Sequence, residues 1–175
     1  MSRLLFPLVA LSGALAAVVV LLALGLVAGE DAAEFPVAAD ASEVAVLAAA
    51  AGPVEVHRSA SCGCCGGHLE HLADAGFEVV DHVHDDEDAV PQMKEGLGIP
   101  TDLWSCHTTL AGGYAVEGHV PAEVITALLD EGPTVDGIAL PGMPAGSPGM
   151  AGQQDETWSF VSFTDGAADG VLTER

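Results

Sequence analysis

Three of the chain's four cysteines fall within four residues, in Ser61-Cys62-Gly63-Cys64-Cys65-Gly66-Gly67-His68, and the fourth, Cys106, lies far along the chain beside His107. A helical pattern opens directly behind the cluster, with Leu69, Leu72 and Ala73 at 3.6-residue spacing. Ahead of it, residues 54–58 alternate after Gly52-Pro53 and read as a strand. The chain must therefore turn sharply from a strand into a helix whose N-terminus carries thiols. Unpaired N–H groups and the macrodipole there favour thiolate over thiol. Thiolate is both the nucleophilic and the metal-ligating form of cysteine, so two chemistries are open.

The remainder of the chain supplies the setting. Residues 4–29 are almost wholly apolar and uncharged and follow Arg3. Such a run is long enough for a transmembrane helix, which needs about 20 residues. It also ends in Val27-Ala28-Gly29, which suits cleavage of a signal segment. A transmembrane anchor and a signal helix both place the rest of the chain outside the cytoplasm, membrane-anchored in one case and secreted in the other. All 26 acidic residues follow this run, and the net charge is −22. That field excludes nucleic acid as a partner. With a single lysine and no asparagine, it points to a halophilic setting, where salt shortens the range of self-repulsion.

Residues 30–52 are rich in alanine and acid and read as a tether with a short helix over 42–50; a first helix packed on the domain is the alternative. The domain proper is 53–175. Behind the thiol helix (65–75, closed by Gly76) come a strand over 77–83 and a helix over 86–95, closed by Gly96. The acidic run 85–88 lacks the glycine and spacing of a calcium loop. A strand starts at His107, turns at Gly112-Gly113 and returns over 114–117. Pro121 opens a helix with Val124, Ile125, Leu128 and Leu129 on one face, stopped by Gly132-Pro133. Glycine and proline dominate 137–152; such a segment is often a disordered linker, and its Met143 and Met150, seven residues apart among turn residues, suit a loop laid over the thiols. Residues 157–163 form a last strand, with 169–174 able to pair with it. The fold class is α/β, a mixed sheet with flanking helices, and the strand-to-cysteine-helix turn resembles a thioredoxin-like layer.

The spacing argues against a framework of structural disulfides, which spreads its cysteines around a fold rather than gathering them. One tetrahedral zinc would have to draw three ligands from four consecutive residues, two of them adjacent, which is cramped. Several ions sharing bridging thiolates accept adjacent cysteines more easily, and soft sulfur ligands select copper(I). The metal reading is therefore a polynuclear copper–thiolate site on Cys62, Cys64, Cys65 and Cys106. Zinc is the less favoured ion, and Met143 and Met150 are soft outer contacts. The alternative is thiol–disulfide exchange by the Cys62/Cys65 pair, against which Cys64 counts as a competing third thiol. Among the histidines, His68 lies on the cluster side of its helix, where it either ligates or caps a carbonyl. His119, at a helix start, can reach the site from a loop, although a structural role is the favoured reading for it as for every histidine but His68. His107, on a strand after Cys106, should point to the opposite face, and His71, His82 and His84 read as surface residues. No Gly-x-Ser-x-Gly elbow and no phosphate loop is present.

Cys62-Gly-Cys-Cys-Gly, Ser105-Cys106-His107-Thr108, Glu117-Gly118-His119-Val120-Pro121 and the Pro141-Gly-Met … Gly-Met150 stretch, in that order, resemble the CopG-type copper-resistance proteins. That family of small exported metal-binding proteins was long described as a domain of unknown function. The match runs over about 54–163. It implies a thioredoxin-like fold and a cluster of copper ions on Cys62, Cys64, Cys65 and Cys106, with copper ions and other copper-handling proteins as partners. The family's usual acidic residue after the last methionine is Ala151 here. The apolar start and acidic tether lie outside the shared region. Whether such a protein turns over as an enzyme, a copper or thiol oxidoreductase, or only binds metal is left open by these residues.

Overall fold

In the computed structural model the described residues are 35–37 and 40–175, and Phe35–Arg175 form one compact unit. The apolar segment expected over 4–29 lies outside the described residues. Among the described residues no helix is long and apolar enough to cross a membrane.

Strand β1 (Val54–Ser59) pairs in parallel with β2 (Val79–His84) and antiparallel with β3 (His107–Ala111). The Gly112-Gly113 turn returns β3 as β4 (Tyr114–Glu117), with Thr108 opposite Glu117. The sheet continues through β5 (Gly137–Ala139), β6 (Ser159–Thr164) and β7 (Ala167–Glu174) to give the order β2-β1-β3-β4-β5-β6-β7. The four helices among the described residues are α1 (Ala41–Ala51), α2 (Cys65–Asp74), α3 (Ala89–Gly96) and α4 (Ala122–Glu131). The architecture is thus mixed α/β. Short β5, inside the Gly/Pro-rich stretch, is the one strand the sequence pattern did not announce. Its three residues, all buried, pair with β4 and β6.

Alternation along β4 and β5 divides the core between the two faces of the sheet. Val116 and Ile138 join Val54, Val56, Leu72, Ile125, Leu128 and Phe160 on one face. Ala115 and Ala139 join Ile99, Leu103 and Phe163 on the other. Helix α4 carries the apolar stripe read from its spacing and ends at Gly132 in the left-handed conformation (φ 58°), donating to the Leu128 carbonyl. Helix α1 is capped by the Asp40 carboxylate, which accepts from the Ser42 and Glu43 N–H groups. Its Val44 and Ala48, one turn apart, are buried in the core, so the helix expected within the 30–52 stretch packs on the domain.

Candidate metal centre

The β1–α2 connection delivers the early thiols. Cys64 occupies the position just ahead of α2, without a side-chain capping bond, and Cys65 is the helix's first residue, with Cys65, His68 and Leu72 buried along one face. The late thiol arrives from the far side of the sheet's first crossover, because antiparallel pairing of β3 with β1 sets His107 opposite Arg58. Cys106 is the residue just ahead of β3. Cys64 Sγ lies 3.8 Å from Cys62 Sγ and 3.7 Å from Cys106 Sγ. The four sulfurs all lie within 4.8 Å of one another. Cys62 and Cys65 are joined as a disulfide with Cα atoms 5.7 Å apart, while Cys64 and Cys106 are free.

Two imidazoles close on these sulfurs, His119 fixed by a carbonyl and His107 by a neighbouring imidazole. His119 Nδ1 donates to the Pro148 carbonyl at 2.6 Å, which leaves Nε2, 2.9 Å from Cys106 Sγ, with its lone pair toward the thiol. His68 Nε2 donates to the Val120 carbonyl at 2.9 Å, so its Nδ1 must accept from His107 Nε2 at 2.8 Å. The relay leaves the His107 Nδ1 lone pair between Cys65 Sγ (3.5 Å) and Cys106 Sγ (3.4 Å). Orientation of a ligand imidazole through its other nitrogen is the usual support of metal sites.

The sequence-based expectations fare unequally. Cys62, Cys64, Cys65 and Cys106 come together, and His119 reaches Cys106 from its loop. His68 takes the carbonyl-capping alternative, since both its ring nitrogens are engaged by Val120 and His107. His107 does not point away. Strand alternation does not govern it relative to Cys106, because Cys106 precedes the strand and both side chains reach the same side. His71 is not a free surface residue either: its Nε2 accepts the Ala122 N–H at 3.0 Å and caps α4. Met143 is 40% exposed and Met150 half-buried.

The Gly/Pro loop does lie against the thiol helix. Gly149 adopts φ +83°, and a Cβ there would sit 2.5 Å from the His68 backbone nitrogen and 3.0 Å from the Cys64 carbonyl oxygen. Only glycine permits that approach, and it carries the neighbouring Pro148 carbonyl to His119. Behind the cluster, Lys94 is almost fully buried. It donates to Glu117 Oε1 and to the Ser105 carbonyl, each at 2.5 Å, while the Ser105 N–H donates to the same carboxylate at 2.6 Å. Thr108 Oγ1 donates to Glu117 Oε2 at 2.6 Å. This network clamps the Ser105-Cys106 segment from below.

Burial favours the uncharged forms of Cys106 and of the three imidazoles around it. Burial pushes the Cys106 thiol up to about 12, with Cys64 beside it adding to the effect. Burial lowers His68 to about 4, takes His107 well below the usual imidazole range and lowers His119 as well. Neutral imidazoles are the ligating form. The unfolded chain takes up protons near pH 6.5 that the folded chain refuses, so stability is complete above that pH and falls as pH drops toward 4. His68 alone then costs about 2 kcal/mol by pH 5. The midpoint of thermal unfolding should be lower at pH 5 than at pH 7; an unchanged midpoint would contradict the neutral relay.

The donor set fits a soft metal. A tetrahedral ion with metal–sulfur bonds of about 2.3 Å sets its ligand sulfurs about 3.8 Å apart, the spacing seen from Cys64 to both Cys62 and Cys106. Reduction of the disulfide would release two more thiols into the same space.

No curated protein matches the chain. A family described as protein of unknown function, DUF411, matches residues 103–150, the span that holds Cys106, His107, His119 and the loop over the thiols. The chain is also similar to two solved structures of the copper resistance protein CopG. Form 2 is 42% identical over 70% of this chain and 97% of that one, with a TM-score of 0.62. Form 1 is 43% identical over 71% and 97%, with the same TM-score.

Proposed function

Because the chain belongs to the family of the copper resistance protein CopG, we propose that it binds copper(I) in a polynuclear thiolate cluster and serves copper resistance by sequestering, passing on or redox-cycling the metal. The observation that carries this reading is the convergence of Cys62, Cys64, Cys65 and Cys106 within 4.8 Å. His107 and His119 offer two further lone pairs, and soft sulfur donors favour copper(I) over harder ions. The arrangement β2-β1-β3-β4, with β1 and β2 parallel and the next two pairings antiparallel, supports a thioredoxin-like core beneath the site. The apolar run 4–29 supports export, anchored or cleaved, and the charge of −22 supports a saline surrounding. In this reading the 30–52 stretch, α1 included, joins the anchor to the sheet.

The Cys62–Cys65 disulfide favours a second reading, a thiol–disulfide oxidoreductase acting through that pair. In the copper reading the same bond is the oxidised form of the site. Two electrons and two protons from an external dithiol convert it to two thiols, completing the set of four. Copper(I) uptake by reduced and by oxidised chain separates the two. We expect several coppers per chain after reduction and a marked fall when the disulfide is intact. Copper uptake indifferent to the disulfide, together with turnover of a dithiol substrate, would favour the oxidoreductase.

A further inference from the structure

A second group of metal-ligating side chains lies on the sheet itself and shares no residue with the thiols. The parallel register of β1 and β2 sets His57 opposite His82 and Ser59 opposite His84. Alternation then places Glu55 and His57 on one face of β1, away from Val54 and Val56 of the core, with His82 and His84 beside them. The His57 and His82 rings stack with centroids 4.5 Å apart and planes 8° from parallel. The His84 ring lies 5.5 Å from that of His57. Three imidazoles are thus packed together in a chain that carries seven histidines.

Their nitrogens are arranged for a ligand. His57 Nδ1 is 3.2 Å from His84 Nε2. With the proton on His57 Nδ1, donated to His84, the His57 Nε2 lone pair is left free. Nε2 of His57 and Nε2 of His82 are both withdrawn from solvent, and neither has a hydrogen-bond partner. The Glu55 carboxylate lies 3.8 Å from the first and 3.1 Å from the second, and one ligand atom from each of the three residues falls within 4.8 Å of the others. Buried polar nitrogens left unsatisfied in this way call for an explanation. Burial, and then the neighbouring His82 and His84, lower the His57 pKa and keep its ring in the neutral form.

We infer that Glu55, His57 and His82 form a second metal site, free of sulfur, that takes a divalent borderline cation, Cu²⁺ or Zn²⁺, with His84 orienting His57. Two imidazoles and a carboxylate are a donor set for Zn²⁺ and Cu²⁺ rather than for soft copper(I). Three protein ligands leave a position open to water or to a passing ligand. His84 stands to His57 as the Pro148 carbonyl stands to His119, a partner on the far nitrogen that sets which lone pair faces the ion.

The test uses the full chain carrying Cys64→Ser and Cys106→Ser, with the Cys62–Cys65 disulfide left intact, so that no free thiol competes for the ion or reduces it. Cu²⁺ alone and Zn²⁺ alone are titrated in. One tight equivalent of Cu²⁺ is expected, with imidazole nitrogen couplings in its electron paramagnetic resonance spectrum; one equivalent of Zn²⁺ should also bind, and Cu²⁺ should displace it, as the affinity order of divalent ions requires. His82→Ala and Glu55→Gln, both at exposed or half-exposed positions, should each weaken the site at least tenfold. His84→Ala should keep the stoichiometry but lower the affinity. Absence of a tight equivalent would overturn the proposal. So would binding left unchanged by both His82→Ala and Glu55→Gln, which would place the ion on His107 and His119 instead.

Discussion

Cys106→Ser should abolish retention of a copper cluster while leaving the domain folded. Cys106 is the single sulfur that joins the late segment to the early trio, 3.7 Å from Cys64, and it is the thiol that His119 faces at 2.9 Å. Serine is close in size but is a hard oxygen donor, so the soft ligand set is lost without opening a cavity. Bound copper(I) per reduced chain should fall to less than half. Unfolding free energy should change by no more than about 1 kcal/mol, as for substitutions that leave packing intact. Thiol exchange through Cys62 and Cys65 alone would be indifferent to this change. A variant that keeps its full copper complement would therefore remove Cys106 from the site and with it the four-sulfur reading.

Lys94→Met is expected to be the most destabilising single substitution. Lys94 and Glu117 are side chains 4% and 0% exposed, and the carboxylate also receives the Ser105 N–H and the Thr108 hydroxyl. Burial raises the Glu117 pKa, and Lys94 is the neighbour that most opposes the rise. Removing the ammonium strands a charged carboxylate in a dry setting, a loss of about 3–5 kcal/mol for a broken buried pair. The exposed pair of Arg58 with Asp81, by contrast, is worth at most about 1 kcal/mol. Adding Glu117→Gln to Lys94→Met should recover part of the loss, because the amide oxygen still accepts from Ser105 without carrying charge. Urea unfolding of the two single variants and the double variant measures this coupling. A single-variant cost below about 1 kcal/mol would show that the clamp beneath Cys106 carries no weight.

Local signals were the ones the sequence made legible. Gly112-Gly113 marked the β3–β4 hairpin, Gly132 the end of α4, and alternation after Gly52-Pro53 the start of β1, because each is decided by backbone conformation within a few residues. The gathering of thiols also survived translation into space: their crowding at one helix start and the arrival of Cys106 beside a neighbouring strand required only the right strand order. Features set by long-range register were not legible. Nothing local tells that His57 will face His82 across a parallel pairing, since the crossover through α2 separates them. His107 was misdirected by applying strand alternation to a residue pair of which only one member is in the strand. Nothing local announces the burial of Lys94; the signal that could have found it is its isolation as the chain's sole lysine.

Whether these sulfurs act together on soft metal is read from the metal content of fully reduced chain after loading, with X-ray absorption at the copper edge. More than one copper per chain is expected, with sulfur-dominated coordination and short copper–copper contacts. A chain that takes up one zinc and no copper, or one isolated copper bound without shared sulfur, would contradict that expectation.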